Sequence, residues 1–304
     1  MNKPNTLNEI ASKHLGQSGS YAVYTDKHDS SLLVPMPREL ARTDWGITGE
    51  EFIGEDVWHC HEATFLTNSG IPVAGTLKFS YNSNSKYMIE SKSMKLYLNS
   101  FDMCKMGSTI DLAIIHYELQ ITEDLSKVLE TEVRVKFHES GRDGIQVDSF
   151  VSYQDLHTTI KLEQNNVEIT DYNAQHSHLL FTRDKKSNEY KLFTNVLRSR
   201  CRHTKQKDTG TAYIYIKTKK SKLDLVSLFK EVVALREVNE FHEFCCEKLY
   251  TAIMATGEVE SCMIALLYSR RGSLDINPIR ATSSELIPSL YTNPQFYSKK
   301  TQGQ

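Results

Sequence analysis

One order of segments occurs twice in this chain: a β-prone strand, two helices with a single apolar face, then another strand. An apolar helix stripe and an alternating strand each need a surface to cover them. The recurrence therefore narrows the fold to α+β, two related units of helices packed on sheet. In the first half, residues 58–66 and 73–81 read as strands around the turn residues Asn68, Ser69 and Gly70, which predicts a hairpin. Met94, Leu98 and Phe101 recur at helical spacing over residues 91–101, with Ser91 as a possible cap. Residues 122–130 predict a second helix, with Thr122 as cap and Leu125, Val128 and Leu129 as its stripe. Residues 132–138 alternate as a strand. The second half gives a strand at 212–216, a helix at 223–236, a helix from an Asn239 cap through Thr256, and a strand at 260–268. The turn Arg270, Arg271, Gly272 follows. The units join between about residues 151 and 190, and we divide them as 1–165 and 166–304.

A chain of 304 residues can bury most of its unfolded surface. Its longest apolar run, residues 262–268, falls short of the ~18 residues a membrane helix needs. Residues 1–13 are polar and carry Glu9, unlike a signal peptide. The six cysteines are sparse, and adjacent Cys245 and Cys246 make a poor disulfide framework, so the expected compartment is a reducing cytoplasm. A net charge of −2 disfavours a globally basic nucleic-acid binder. Residues 198–222 nevertheless hold nine Lys or Arg and one acid, a net +8 against −10 for the rest. That stretch reads as a solvated face, or as a surface for a phosphate-rich cofactor or a nucleic-acid strand.

Neither a dinucleotide fingerprint nor a P-loop is present. His59 and His61 share a strand face and could share a metal, but no second ligand pair has zinc-site spacing. No metal site is expected, and two half-buried imidazoles are the simpler reading. Cys201 stands among Arg198, Arg200 and Arg202, and cationic neighbours favour the thiolate, the nucleophilic form. Asp208, seven positions on, is the stretch's one acid and a candidate proton donor. The same residues also read as a solvated basic loop. His242 and Glu243 open a helix, where an anionic Glu243 could accept two hydrogen bonds from a purine-like N–H edge. Glu90, Ser91 and Lys92 open another helix, and Arg270 and Arg271 before Gly272 could clamp a phosphate.

Together these residues resemble one family. The run ESKSMKLYLNSF at residues 90–101 closely resembles the signature of the 7-cyano-7-deazaguanine reductases, NADPH-dependent nitrile reductases of the queuosine pathway. Phe241, His242 and Glu243 resemble their base-recognition element, and the segment from Arg270 to Pro278 with Arg280 their cofactor clamp. The stretch from Ser30 to Arg38 resembles the long, two-module form, and the likeness runs over about residues 15–288. It implies tandem tunnelling-fold (T-fold) modules, with antiparallel sheets and helix pairs packed on one face. It also implies that Cys201 adds to the nitrile as a covalent thioimidate, which two NADPH reduce to the aminomethyl group, while Asp208 and His242 move protons. Substrate contacts would come from Ile89, Glu90, Ser91, Phe241, His242 and Glu243, and NADPH contacts from Ser91, Lys92, Arg270, Arg271 and Gly272. Arg200 and Arg202 flank the nucleophile where the family usually has Asn and an apolar residue or Pro. Lys207 and Thr209 flank the acid in place of Pro and Trp, and Ser273 replaces a usual Gly.

The expected partner is the small molecule 7-cyano-7-deazaguanine, with a homodimer as the assembly by analogy and no membrane. A second hypothesis is an amidinotransferase-like enzyme that adds ammonia to the same thioimidate. The cofactor segments favour reduction. A nucleic-acid-directed deazaguanine-modifying protein, using the basic stretch, ranks last.

Overall fold

The computed structural model describes residues 27–139, 146–160, 169, 172, 174, 177–202 and 207–298. The division at residue 165, the polar residues 1–13, and His203, Lys205 and Gln206 lie outside the described residues. The main elements in the first half are α1 (Arg38–Trp45), β1 (Ile53–Thr67), β2 (Pro72–Asn82), α2 (Ser91–Asn99), α3 (Ile110–Leu129) and β3 (Val133–Glu139). Those in the second half are β4 (Glu189–Arg200), β5 (Lys207–Thr218), α4 (Leu225–Ala234), α5 (His242–Ala255), β6 (Val259–Tyr268) and β7 (Leu274–Ala281).

The strands form one sheet in the order β3-β2-β1-β7-β6-β5-β4, antiparallel at every step. Short strands Lys105–Gly107 and Gln154–Asp155 add in parallel beside β1 and β4. The halves meet where β1 pairs β7, from Ile53 opposite Ala281 to Cys60 opposite Leu274. Strand alternation then sorts the core. Trp58, Cys60 and Ile276 turn to the face where α2 and α3 contribute Met94, Tyr97 and Tyr117. On that same face Ile264 and Leu266 meet α4 and α5 through Val232, Leu249 and Ile253. Val57, Ala265 and Ile279 turn the other way, under Phe150 and Tyr291. The helix pairs thus share one face of the sheet, as the resemblance implies. No helix among the described residues is long and apolar enough to cross a membrane.

The predicted hairpin at 58–81 is present, and Gly70 supplies its turn with a φ of 83°. Three caps differ from the sequence reading. Glu90, not Ser91, caps α2 by accepting from the Ser93 N–H at 2.7 Å. α3 starts at Ile110 under Thr109, because Ala113, Tyr117 and Ile121 extend the stripe backwards. Thr122 is interior and donates its hydroxyl to the Glu118 carbonyl at 2.7 Å. α5 is capped by Phe241 without a side-chain bond, and Asn239 lies before the helix, in a β-bridge with Arg200. Strands β4 and β7 had no clear sequence signal. A bulge between Thr194 and Leu197 breaks β4's alternation. β7 carries Asp275, Asn277, Pro278 and Arg280, which argue against a central strand until their partners are known.

Candidate active site

The junction of the two halves brings the first turns of α2 and α5 towards the turn between β6 and β7. A cavity of about 270 Å³ lies there. α2 lends Glu90, Ser91 and Lys92 to its wall, and α5 lends Phe241, His242 and Glu243. Arg271 and Gly272 come from the β6–β7 turn, and Cys201 and Asp208 from the end of the β4–β5 hairpin where the two strands connect. Arg200 lies opposite Lys207 in that hairpin, so a spacing of seven puts Cys201 and Asp208 at the same end. Ile89 and Arg270 do not reach the wall: Ile89 is buried in the α2–α3 core, and Arg270 is exposed at the strand end. The sequence reading missed Lys95, Arg202, Glu240, Ser269, Leu274 and Ile276. Lys95 had a findable signal, three residues after Lys92 on the same helix face. Leu274 and Ile276 are an apolar wall on β7, a strand hidden in the sequence by its polar neighbours.

The polar groups converge on Asp208. Its buried carboxylate accepts from Arg271 Nε at 2.9 Å, and His242 Nε2 stands 3.6 Å away, beyond hydrogen-bond length. The His242 ring is stacked on Tyr268 with centroids 3.7 Å apart and planes 9° off parallel. That stack fixes the ring plane, while buried His242 Nδ1 has no hydrogen-bond partner. Cys201 is half-buried, with its thiol free of any disulfide. Glu90 and Glu243 are both buried, and burial raises both carboxyl pKa values. For Glu243 burial, reinforced by the charge of Asp56, pushes it to about 8. The sequence reading of an anionic Glu243 therefore changes: in the cavity as it stands, neutral pH favours the acid. The helix N-terminus does not outweigh desolvation there.

Behind Glu243 lies a fully buried ionic network. Arg280 donates to Asp56 at 3.0 Å and to Glu247 at 2.9 Å, Arg42 meets Glu247 at 2.9 Å, and Arg38 completes it on Asp56. Arg280 is thus a structural residue rather than part of a cofactor clamp. Removing one partner strands a buried charge, so Glu247→Ala is expected to cost about 3–5 kcal/mol of stability, read from urea unfolding. On the opposite sheet face, His59 Nδ1 and His61 Nε2 both bond Asp275, at 2.6 and 2.7 Å. Each imidazole has a carboxylate partner. No group of three or more side chains among the described residues is arranged to hold a metal ion.

The basic stretch is also less basic in space than along the chain. Arg200 pairs with Glu237, Arg202 with Glu240 and Lys217 with Glu260, each at 2.6 Å. A continuous cationic face for a nucleic-acid strand is correspondingly weakened.

Two comparisons bear on this site. A family model described as nitrile reductase, 7-cyano-7-deazaguanine-reductase N-term, matches residues 24–137. The chain is 32% identical over 285 residues to an NADPH-dependent 7-cyano-7-deazaguanine reductase from Colwellia psychrerythraea (strain 34H / ATCC BAA-681). That alignment covers 92% of this chain and 95% of the relative.

Proposed function

The chain belongs to the NADPH-dependent 7-cyano-7-deazaguanine reductases, and from that premise we propose that its cavity captures the nitrile on Cys201 for reduction to 7-aminomethyl-7-deazaguanine. The observation that carries this reading is the meeting, in one 270 Å³ cavity, of the two recognition carboxyls with the nucleophile and its proton carriers. The Cys201 thiolate adds to the nitrile carbon, one C≡N π bond breaks, and the nitrogen takes a proton supplied through Asp208 and His242. A nitrile is a weak electrophile, and capture converts it into an imine-like acceptor held in place. Glu90 and Glu243 accept from the N–H edge of the base, with Ser91 and Phe241 beside it and Ile89 supporting Glu90 from the core. NADPH, when bound, supplies the two hydrides.

The residues present fit that cofactor. Exposed Lys92, Lys95 and Arg271 offer cations to its phosphates. Gly272, at a φ of 55°, holds a left-handed backbone that a side chain would strain, and so keeps the wall beside Lys95 bare. A second cavity of about 240 Å³ shares Lys95, Gly272 and Leu274 with the first, and we assign to it the dinucleotide beyond the nicotinamide. Arg271→Ala is expected to raise the KM for NADPH about 10- to 100-fold, the worth of a charged hydrogen bond. The yield of nitrile adduct without NADPH should fall far less, through the loss of the Arg271–Asp208 contact alone. Unchanged NADPH affinity would remove Arg271 from the cofactor site.

Glu243 gives a pH test. Its carboxyl ordinarily titrates at 4.5 and in the fold at about 8. Its contribution to stability is therefore complete below pH 4.5 and lost as pH rises through about 8. Glu243→Gln is expected to exceed the parent in melting temperature above pH 8 while binding the nitrile more weakly. Parallel melting curves across that range would contradict the assignment.

We read each half as one tunnelling-fold module, 1–165 and 166–304, fused through the β1–β7 pairing, and propose a cytoplasmic homodimer. Six cysteines free of disulfides suit a reducing compartment.

A further inference from the structure

Cys201 is held between two arginines, and each is bonded to the segment that starts the base-recognition helix. On one side, the Arg200 N–H donates to the Val238 carbonyl at 2.8 Å, and its guanidinium meets Glu237 at 2.6 Å. On the other, Arg202 Nη1 donates to both carboxylate oxygens of Glu240, at 2.8 and 2.6 Å. The two pairs differ in kind. Arg200 and Glu237 are about a third and a half exposed, so solvent screens them. The Arg202 and Glu240 side chains are only 9% and 10% exposed. Burial pushes the Glu240 carboxyl pKa up, and Arg202 opposes that. Glu240 is followed directly by Phe241, His242 and Glu243.

We infer that the buried Arg202–Glu240 pair is a positioning clasp that sets Cys201 against the base-recognition edge and so governs the rate of nitrile capture. The inference rests on the assignment of Cys201 as nucleophile and Glu243 as base acceptor. The distance between these two groups must match the distance from the nitrile carbon to the N–H edge of a rigid bicyclic base. Cys201 and Glu243 lie on different elements, and Cys201 stands just past the end of β4. The clasp ties that strand end to the residue before Phe241. Arg202 acts through Cys201's position and not by contact with the reacting carbon. A displacement of ~1 Å costs about 100-fold in rate for a reaction of this kind.

Two readouts with opposite signs test the clasp. One is the rate of nitrile adduct formation without NADPH, followed by intact mass. The other is the rate of iodoacetamide alkylation of Cys201, followed at its own peptide. Capture needs alignment, whereas alkylation needs only access. Glu240→Gln is expected to slow capture about 100-fold and to speed alkylation of Cys201. Arg202→Lys keeps the charge but cannot set its ammonium where the tip nitrogen Nη1 meets both Glu240 oxygens without moving its stem, and should fall between parent and Glu240→Gln. The exchanged pair, Arg202→Glu with Glu240→Arg, should recover much of the capture rate. Should Glu240→Gln fail to fold, Arg202→Lys and the exchanged pair decide the matter. Parental capture and alkylation rates in Arg202→Lys and Glu240→Gln overturn the clasp, and so does an exchanged pair no better than the single variants. If the parent itself formed no adduct, the assignment of Cys201 would fail separately. The clasp would still stand or fall on whether the variants alkylate faster than the parent.

Discussion

Cys201→Ala is expected to abolish covalent capture of 7-cyano-7-deazaguanine and to lower turnover by on the order of 10⁴-fold or more, the scale of removing a nucleophile that works as one unit with its proton carriers. The side chain is half-buried just past a strand end, and it makes no hydrogen bond among the described residues. Folding and NADPH binding should therefore persist. The check is an intact mass spectrum after mixing with the nitrile: the parent gains the mass of the nitrile and the variant does not. The other thiols are poor substitutes. Cys245 and Cys246 are fully buried, and burial raises their pKa, to about 12 for Cys245. An undiminished adduct in Cys201→Ala would refute the nucleophile.

Asp208→Asn comes next in size. Asp208 is buried between the guanidinium of Arg271 and the ring of His242, so an isosteric amide keeps the shape and removes the proton carrier. Loss of general acid–base catalysis is worth about 10²- to 10⁴-fold, and the expected fall in kcat lies in that range. His242 Nε2 at 3.6 Å is too distant to bond Asp208 in the cavity as it stands. Stacking on Tyr268 holds the ring for a small closure, of the sort catalytic pairs make when substrate arrives. Asp208→Asn should retain adduct formation better than Cys201→Ala does but turn it over slowly. A kcat equal to the parent's would remove Asp208 from proton transfer. Because Arg271 also bonds Asp208, the NADPH dependence of Asp208→Asn should shift as well, which links cofactor rim and acid in one contact.

The parts of this site that were legible in the sequence are those encoded locally. The helices behind Glu90 and Glu243 follow from apolar periodicity, though not their caps, and the seven-residue step from Cys201 to Asp208 spans one hairpin end. The hidden parts are long-range polar partnerships. Arg202 reads as one more charge in a basic loop until Glu240 is seen against it. Arg280 reads as an extension of the Arg270–Arg271 pair, yet it neutralises Asp56 and Glu247 in the core. β7 was invisible for the same reason. Asp275, Asn277 and Arg280 look solvent-facing along the chain, but His59, His61, the Tyr268 N–H and Glu247 satisfy them inside. The protonation of Glu243 was misjudged because helix position is local, whereas burial beside Asp56 depends on the whole fold.

The most direct test of the account is product identification by mass spectrometry after incubating the protein with 7-cyano-7-deazaguanine, NADPH and ammonium salt. The account predicts 7-aminomethyl-7-deazaguanine, formed only when NADPH is present and absent with Cys201→Ala. Unreduced nitrile from folded protein, or an amidine made without NADPH, would contradict it.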